Sequence, residues 1–216
     1  PGKNYATHRH NVGFMVIEDL ASRVRADGFR DKFSGLIARA TLGDEQAYLL
    51  EPQTYMNESG RSVQPALAFH KIAPTNLIVV HDELDLPFGD VRLKVGGGHA
   101  GHNGLRSIMA HVGTGDFIRL RVGIGRPPAG FGGEVADYVL SGFDAVERAK
   151  LPDILKQATE TVLEVAARGV AAAMNVRNSR PKVGKKQAKE KGAEEAAAPP
   201  VGSGQTVSTP NESKKS

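Results

Sequence analysis

The chain has 216 residues, a formal net charge of +4 at pH 7, and no cysteine or tryptophan. The lack of cysteine excludes a disulfide scaffold, an iron–sulfur cluster, thiolate zinc and a cysteine nucleophile, and no apolar run approaches the roughly 18 residues of a membrane span. Residues 179–216 hold eight Lys/Arg and four Glu, so the rest of the chain is neutral and any anion site there must be a local patch.

Helical and strand patterns alternate along the first 178 residues. The first helix has Asn11 as its expected N-cap and Gly28 at its end, and Asp144 with Glu147 forms a capping-box pattern before a helix. Pro152 then predicts the start of a second helix. The other predicted elements are strands 35–42 and 47–50, a helix from 57 or 59 to 70, strands 77–80 and 91–95, helix 105–112 and strand 117–124.

Strands that alternate with helices predict an α/β fold: a single domain with a mixed, twisted β-sheet flanked by helices, over residues 1–178. Residues 179–216 contain no Leu, Ile, Phe or Tyr, so we expect a disordered tail rich in Lys, Glu, Ala and Pro. A domain of this kind usually begins with a strand, whereas here a helix follows Pro1 closely. We therefore expect one further strand before Pro1.

His10 directly precedes the first predicted helix. The helix dipole disfavours the imidazolium at this place, so the ring is kept neutral and able to act as a base, although a capping role has the same spacing. No G-x-S-x-G motif and no P-loop motif is present, which argues against a serine hydrolase and a nucleotide-binding loop.

The segment His81–Pro87 follows a predicted buried strand and carries three carboxylates, Asp82, Glu83 and Asp85. Functional groups collect at the carboxyl ends of strands in α/β sheets, and repelling carboxylates there need a cation, a metal or an imidazole. A solvated turn is the simpler alternative.

The glycine-rich loop 96–101 precedes a helix and contains His99, with His102 just after it. These two histidines, with His81 or Asp82, leave a zinc site open as an alternative to a flexible lid. Two predicted strands carry basic pairs, Arg92 with Lys94 and Arg119 with Arg121, and each pair shares a face that could bind phosphate or simply face solvent.

Taken together, these segments resemble the bacterial peptidyl-tRNA hydrolase family. Five ordered motifs carry the resemblance: PGKNY with RHNVG (1–5 and 9–13), TYMNESG (54–60), HDELDLP (81–87), GGGHAGHNGL (96–105) and RLRVGIGRP (119–127). The family has an Asn and a strand directly before this Pro-Gly, which agrees with the strand expected before Pro1.

The resemblance implies hydrolysis of the ester between peptide and tRNA. We expect general-base attack by water, with no cofactor and no metal. It implies that His10 is the catalytic base and Asp82 its supporting carboxylate. The implied substrate-binding residues are Tyr5, Tyr55, Asn57 and Asn103, and the implied tRNA-phosphate ligands are Lys94 and Arg121. The expected partner is peptidyl-tRNA, with no membrane contact, for a monomer in the cytoplasm. The alternatives are a non-catalytic RNA-binding relative and a metal-dependent hydrolase.

Overall fold

The computed structural model describes residues 7–179 of the chain. Its six strands form two three-stranded sheets, and the α/β class predicted from the sequence is confirmed. The strands are β1 (Arg30–Lys32), β2 (Gly35–Leu42), β3 (Glu45–Pro52), β4 (Ile78–Glu83), β5 (Val91–Val95) and β6 (Ile118–Gly123). The helices are α1 (Val12–Arg23), α2 (Gly60–His70), α3 (Asn103–Val112), α4 (Val135–Val139), α5 (Ala145–Arg168) and α6 (Val170–Asn178).

The first sheet is an antiparallel meander in the order β1-β2-β3. The second has β6 at its centre, parallel to β4 and antiparallel to β5. Leu120 and Val122 of β6 are buried and belong to the same core as Val16 of α1 and Ala158 of α5. The central strand of the second sheet therefore shares one apolar core with both helices.

A cavity of about 1060 Å³ lies between the two sheets, and residues of β3 and β4, such as Leu50 and Val79, contribute to its lining. Within residues 7–179, β3 pairs only with β2, and β4 pairs only with β6. The strand expected before Pro1 stays a prediction, as does the division into a domain and a tail.

Two helix boundaries differ from the prediction by several residues. Pro152 does not begin a helix but lies inside α5, on its exposed side, where the carbonyl left without a donor can be solvated. The capping box at Asp144 and Glu147 is present, with both backbone-to-carboxylate bonds at 2.8 Å, so α5 begins there and continues past the proline. Helix α1 ends at Arg23, before Gly28, because Arg25 adopts a left-handed conformation.

No helix among residues 7–179 combines the length and the apolar character needed to cross a membrane.

Candidate active site

The turn that carries His10 is held directly against strand β4. A 3-10 turn, Arg9–Asn11, leads into α1, and a Cβ on Gly13 would lie only 2.6 Å from the carbonyl oxygen of Val80. Only glycine permits this close approach of helix and strand. The approach brings the Nδ1 atom of His10 to 2.7 Å from the Oδ1 atom of Asp82. The sequence-predicted pair is therefore in contact.

Asp82 lies near the end of β4 and is only 5% exposed. Its Oδ1 atom has a second partner, the Nε2 atom of His102, at 3.1 Å. Burial alone would raise the pKa of the Asp82 carboxyl, but the hydrogen bonds from His10 and His102 outweigh burial and hold the pKa below its usual value. Asp82 is thus an ionised carboxylate that accepts two imidazole N–H groups.

The hydrogen bonds assign the proton positions on both rings. A carboxylate can only accept, so the Nδ1 atom of neutral His10 carries the proton and Nε2 keeps its lone pair. His102 is the N-cap of α3, where its Nδ1 atom accepts from the backbone N–H of Leu105 at 3.3 Å. The proton of neutral His102 is therefore on Nε2, facing Asp82. One carboxylate orients two rings, and of these two only that of His10 keeps a basic nitrogen with no partner among residues 7–179.

Further contacts, made by Arg9, hold the turn that carries His10. The buried Arg9 guanidinium donates to Glu147 at 2.7 Å and lies over the rings of Tyr138 and Phe143 at 4.6 and 5.1 Å. The backbone N–H of Arg9 donates to the carbonyl of Ser141 at 3.0 Å. The position of His10 is therefore fixed relative to the start of α5 as well as to β4.

His81 and His99, which the sequence offered as metal ligands, take other partners. His81 is buried, and its Nδ1 atom donates to the backbone carbonyl of Asp82 at 2.7 Å. Burial, with a smaller contribution from neighbouring His102, lowers the pKa of His81 to about 3, so this ring stays neutral. His99 accepts from the backbone N–H of Gly101 within its own loop.

The predicted substrate-binding residues lie on two segments that pack together. Asn57 is exposed in the 3-10 turn Met56–Glu58, and Asn103 is exposed at the start of α3. A Cβ on Gly104 would lie 2.7 Å from the sulfur of Met56, so glycine lets the two segments meet. The Oδ1 atom of Asn103 accepts from Arg106 at 2.8 Å, which leaves its amide N–H groups to donate.

Of the two tyrosines predicted to bind substrate, Tyr55 belongs to the described residues. Tyr55 precedes the turn that carries Asn57 and is 78% exposed. Tyr5 lies outside the described residues, as do residues 180–216 of the predicted tail.

The basic residues of β5 and β6 share one sheet face. Lys94 stands opposite Arg119, and Arg92 opposite Arg121, and directly opposed residues lie on the same side of an antiparallel pair. Arg92 donates to the carbonyl of Asn178, and Arg119 donates to carbonyls of the glycine-rich loop. Lys94 is exposed, and Arg121 pairs only loosely with Glu83, at 3.7 Å. The predicted phosphate ligands are therefore the two cations of this face least engaged by protein groups.

Sequence reasoning missed the second partner of Asp82. It treated His102 as a loop residue or a zinc ligand, whereas the ring is both the cap of α3 and a donor to the carboxylate. Its position shortly before the helix predicted from residue 105 was the available signal, because an N-cap side chain accepts from a backbone N–H two or three residues later.

Among the described residues, His10, Asp82 and His102 form the group of side chains that could hold a metal ion. One ligand atom each from His10, Asp82 and His102 lies within 4.8 Å of the others. This set replaces the set that the sequence suggested, because it contains His10 rather than His81 or His99.

Comparisons with known proteins agree with this architecture. The family model described as peptidyl-tRNA hydrolase matches residues 1–188. A peptidyl-tRNA hydrolase of Sorangium cellulosum is 76% identical over 187 residues, covering 87% of this chain and 84% of the relative. One from Geobacter metallireducens is 45% identical over 180 residues, covering 83% of this chain and 91% of the relative. The crystal structure of the peptidyl-tRNA hydrolase from Acinetobacter baumannii superposes with a TM-score of 0.77 at 41% identity, covering 83% of this chain and 90% of that one.

The fold, the histidine–carboxylate site and these similarities define the class of protein as a hydrolase with an α/β fold. The chain belongs to the peptidyl-tRNA hydrolase family. The resemblance inferred from its five motifs is confirmed.

Proposed function

We propose that this chain hydrolyses the ester that joins a peptide to the terminal ribose of tRNA, and so recycles tRNA from prematurely released chains. The observation that carries the proposal is the contact of His10 with the buried carboxylate of Asp82, at 2.7 Å. A base of this kind, with one ring nitrogen held and the other free, is suited to activating water.

The reaction begins when the Nε2 atom of His10 takes a proton from a water molecule, whose oxygen attacks the ester carbonyl. Asp82 stabilises the imidazolium that forms, because the proton on Nδ1 already faces its negative charge. The tetrahedral intermediate then expels the ribose oxygen, which takes the proton back from Nε2. The products are tRNA with its terminal hydroxyl restored and a peptide carboxylic acid, which releases the second proton of the water to solvent and becomes a carboxylate. Positioned proton transfer of this type contributes about 10²–10⁴-fold to the rate.

The developing oxyanion requires a hydrogen-bond donor. Asn103 suits this role because Arg106 occupies its carbonyl oxygen and leaves the amide N–H groups available. Asn57, on the neighbouring turn, is the second candidate, and we place Tyr5 and Tyr55 at the peptidyl-adenosine end. One such donor contributes about 10²–10³-fold. Contacts to the peptide amide, which all substrates share, predict little selectivity for side chains.

Recognition of tRNA is assigned to Lys94 and Arg121 on the basic face of β5 and β6. These cations are suited to a phosphate group of the acceptor stem, and such binding weakens as the salt concentration rises. We propose further that the enzyme acts in the cytoplasm as a monomer.

Catalysis is proposed to need no metal and no cofactor. The nitrogen left for chemistry, Nε2 of His10, is suited to deprotonate water directly.

The test is turnover of N-acetyl-aminoacyl-tRNA with an excess of chelator, by wild type and by His10→Ala. We expect the wild type to release acetyl-amino acid at an undiminished rate. The variant should bind tRNA normally while losing turnover. Binding of tRNA without any turnover by the wild type would indicate the RNA-binding alternative. Activity that disappears with chelator and returns with Zn²⁺ would indicate a metal-dependent hydrolase.

A further inference from the structure

We propose that His10, Asp82 and His102 together form an inhibitory site for Zn²⁺. Each offers one ligand atom, and the three atoms lie within 4.8 Å of one another. Two imidazole nitrogens and one carboxylate oxygen are ligands that zinc prefers, and three protein ligands with an open fourth position are a common arrangement. Binding rests on the geometry alone, whereas inhibition rests on the proposed function of His10.

The spacing of the ligand atoms is close to that of a tetrahedral zinc site. Zinc bonds of about 2.0–2.2 Å place neighbouring ligand atoms roughly 3.3–3.5 Å apart. The distance from Asp82 Oδ1 is 2.7 Å to His10 Nδ1 and 3.1 Å to His102 Nε2, so both pairs need to open by less than an ångström. The two rings already lie side by side, with their centroids 5.3 Å apart. The His10 and His102 ligand atoms lie within 4.8 Å of each other, so rotation of both rings together with a shift of the Asp82 oxygen would bring all three atoms to one metal ion.

Inhibition follows from the nitrogen atom that the metal would occupy. Zinc takes the lone pair of His10 Nδ1, so the single proton of the neutral ring moves to Nε2. The nitrogen assigned to accept a proton from water is then an N–H group, and the base is lost. The ring of His102 shifts its proton in the same way, from Nε2 to Nδ1, which ends the cap to Leu105. No net proton is released, because both rings stay neutral and Asp82 is already ionised.

The binding test is isothermal titration of chelator-stripped, full-length protein with ZnCl₂. We expect one high-affinity site in the wild type, weakened at least about tenfold in both His10→Asn and His102→Asn. His99→Asn is the matched control, because its ring lies in the adjacent loop and bonds only to Gly101 among the described partners. Unchanged affinity in a folded His10→Asn or His102→Asn protein would overturn the site, as would an equal loss in His99→Asn. Thermal melts show whether each variant is folded. One folded variant, His10→Asn or His102→Asn, is enough for the test.

The inhibition test uses wild-type turnover of N-acetyl-aminoacyl-tRNA over a series of buffered Zn²⁺ concentrations. We expect activity to fall at the concentrations that fill the titrated site and to return on addition of chelator. Activation by Zn²⁺, or full activity with the site filled, would overturn the inhibitory role. Failure of the proposed function has a different signature, since a His10→Ala variant would then hydrolyse the substrate as fast as the wild type, whatever the zinc titration shows.

Discussion

The second sheet carries two polar regions whose charged groups differ in burial and in pairing. Around Asp82, at the end of β4, a buried charge is matched by two imidazole donors. On the face of β5 and β6, Lys94 is exposed and Arg121 is loosely paired. The regions adjoin, because His81 of β4 is in register with Arg121 of β6. Under the proposed function, proton transfer takes place beside a buried and fully paired charge, whereas the polyanion binds where cations are less engaged by protein groups.

Replacing Asp82 tests the buried region and has the largest expected effect in this comparison. Asp82→Asn should lower kcat by about 10³–10⁴-fold, because an amide can donate to Nδ1 and force the proton of His10 onto Nε2. KM should change little, and the loss should be the same at low and high salt. Asp85→Asn is the control, since this exposed carboxylate of the same segment pairs only with Arg126 among the described residues. A loss of the same size in both variants would remove the special role of Asp82.

Replacing Asn103 and Asn57 in turn tests which of the two side chains donates to the oxyanion. Asn103→Ala should lower kcat by about 10²–10³-fold if its amide donates to the oxyanion, with a smaller effect on KM. Asn57→Ala, measured in parallel, should instead act mainly on KM. The reverse outcome would assign the oxyanion to Asn57, and unchanged kcat in both variants would contradict the oxyanion assignment altogether.

The basic face should respond to salt rather than to the chemistry. Lys94→Ala should raise KM roughly tenfold at low salt without lowering kcat, because one phosphate contact is lost. The difference from the wild type should shrink as salt rises. Lys150→Ala, an exposed lysine on α5, serves as the matched control. An unchanged KM in Lys94→Ala at low salt would reject the phosphate-binding role.

Glu51 gives the smallest predicted effect and separates stability from activity. It is a buried carboxyl of β3, and burial, with the charge of Glu18, raises its pKa from 4.5 to about 7. Between these values the folded state holds a proton that the unfolded chain has released, so stability falls as the pH rises through this window. Glu51→Gln should therefore raise Tm by several degrees at pH 8 and leave it unchanged at pH 4.

Thermal melts of Glu51→Gln and wild type at the two pH values check this prediction. A Tm difference that is independent of pH would contradict the raised pKa. Because Glu51 belongs to neither polar region, kcat and KM should stay at their wild-type values.

Much of the fold was predictable from local patterns. Strands β2 and β5 have the predicted bounds, because a clear turn or a glycine-rich loop ends each of them. Pro152 misled the prediction, since a local helix-start signal was overridden by a capping box upstream and by buried residues downstream, such as Ile154 and Ala158. The division of the strands into two sheets depends on which edges pair, and hydrophobic periodicity does not contain that information.

The candidate site, like the fold, was predictable from local sequence only in part. His10 and Asp82 could be named as candidates from their places before a helix and after a strand, and the roles expected for them came from the family resemblance. Their 2.7 Å contact depends on the close approach at Gly13, which pattern alone does not predict. The second bond from His102 was missed because the residue lies far along the chain and its loop permits several arrangements. Tertiary contacts, rather than local sequence, set the proton positions on the two rings.

The most direct test of the account is single-turnover hydrolysis of N-acetyl-aminoacyl-tRNA by His10→Ala, with and without added imidazole, in chelator. The side chain of His10 is 19% exposed, so free imidazole can reach the space that the variant opens. We predict a rate about 10²–10⁴-fold below that of the wild type, rising with imidazole concentration. A variant that reacts at the wild-type rate without imidazole would contradict the assignment of His10 as the base.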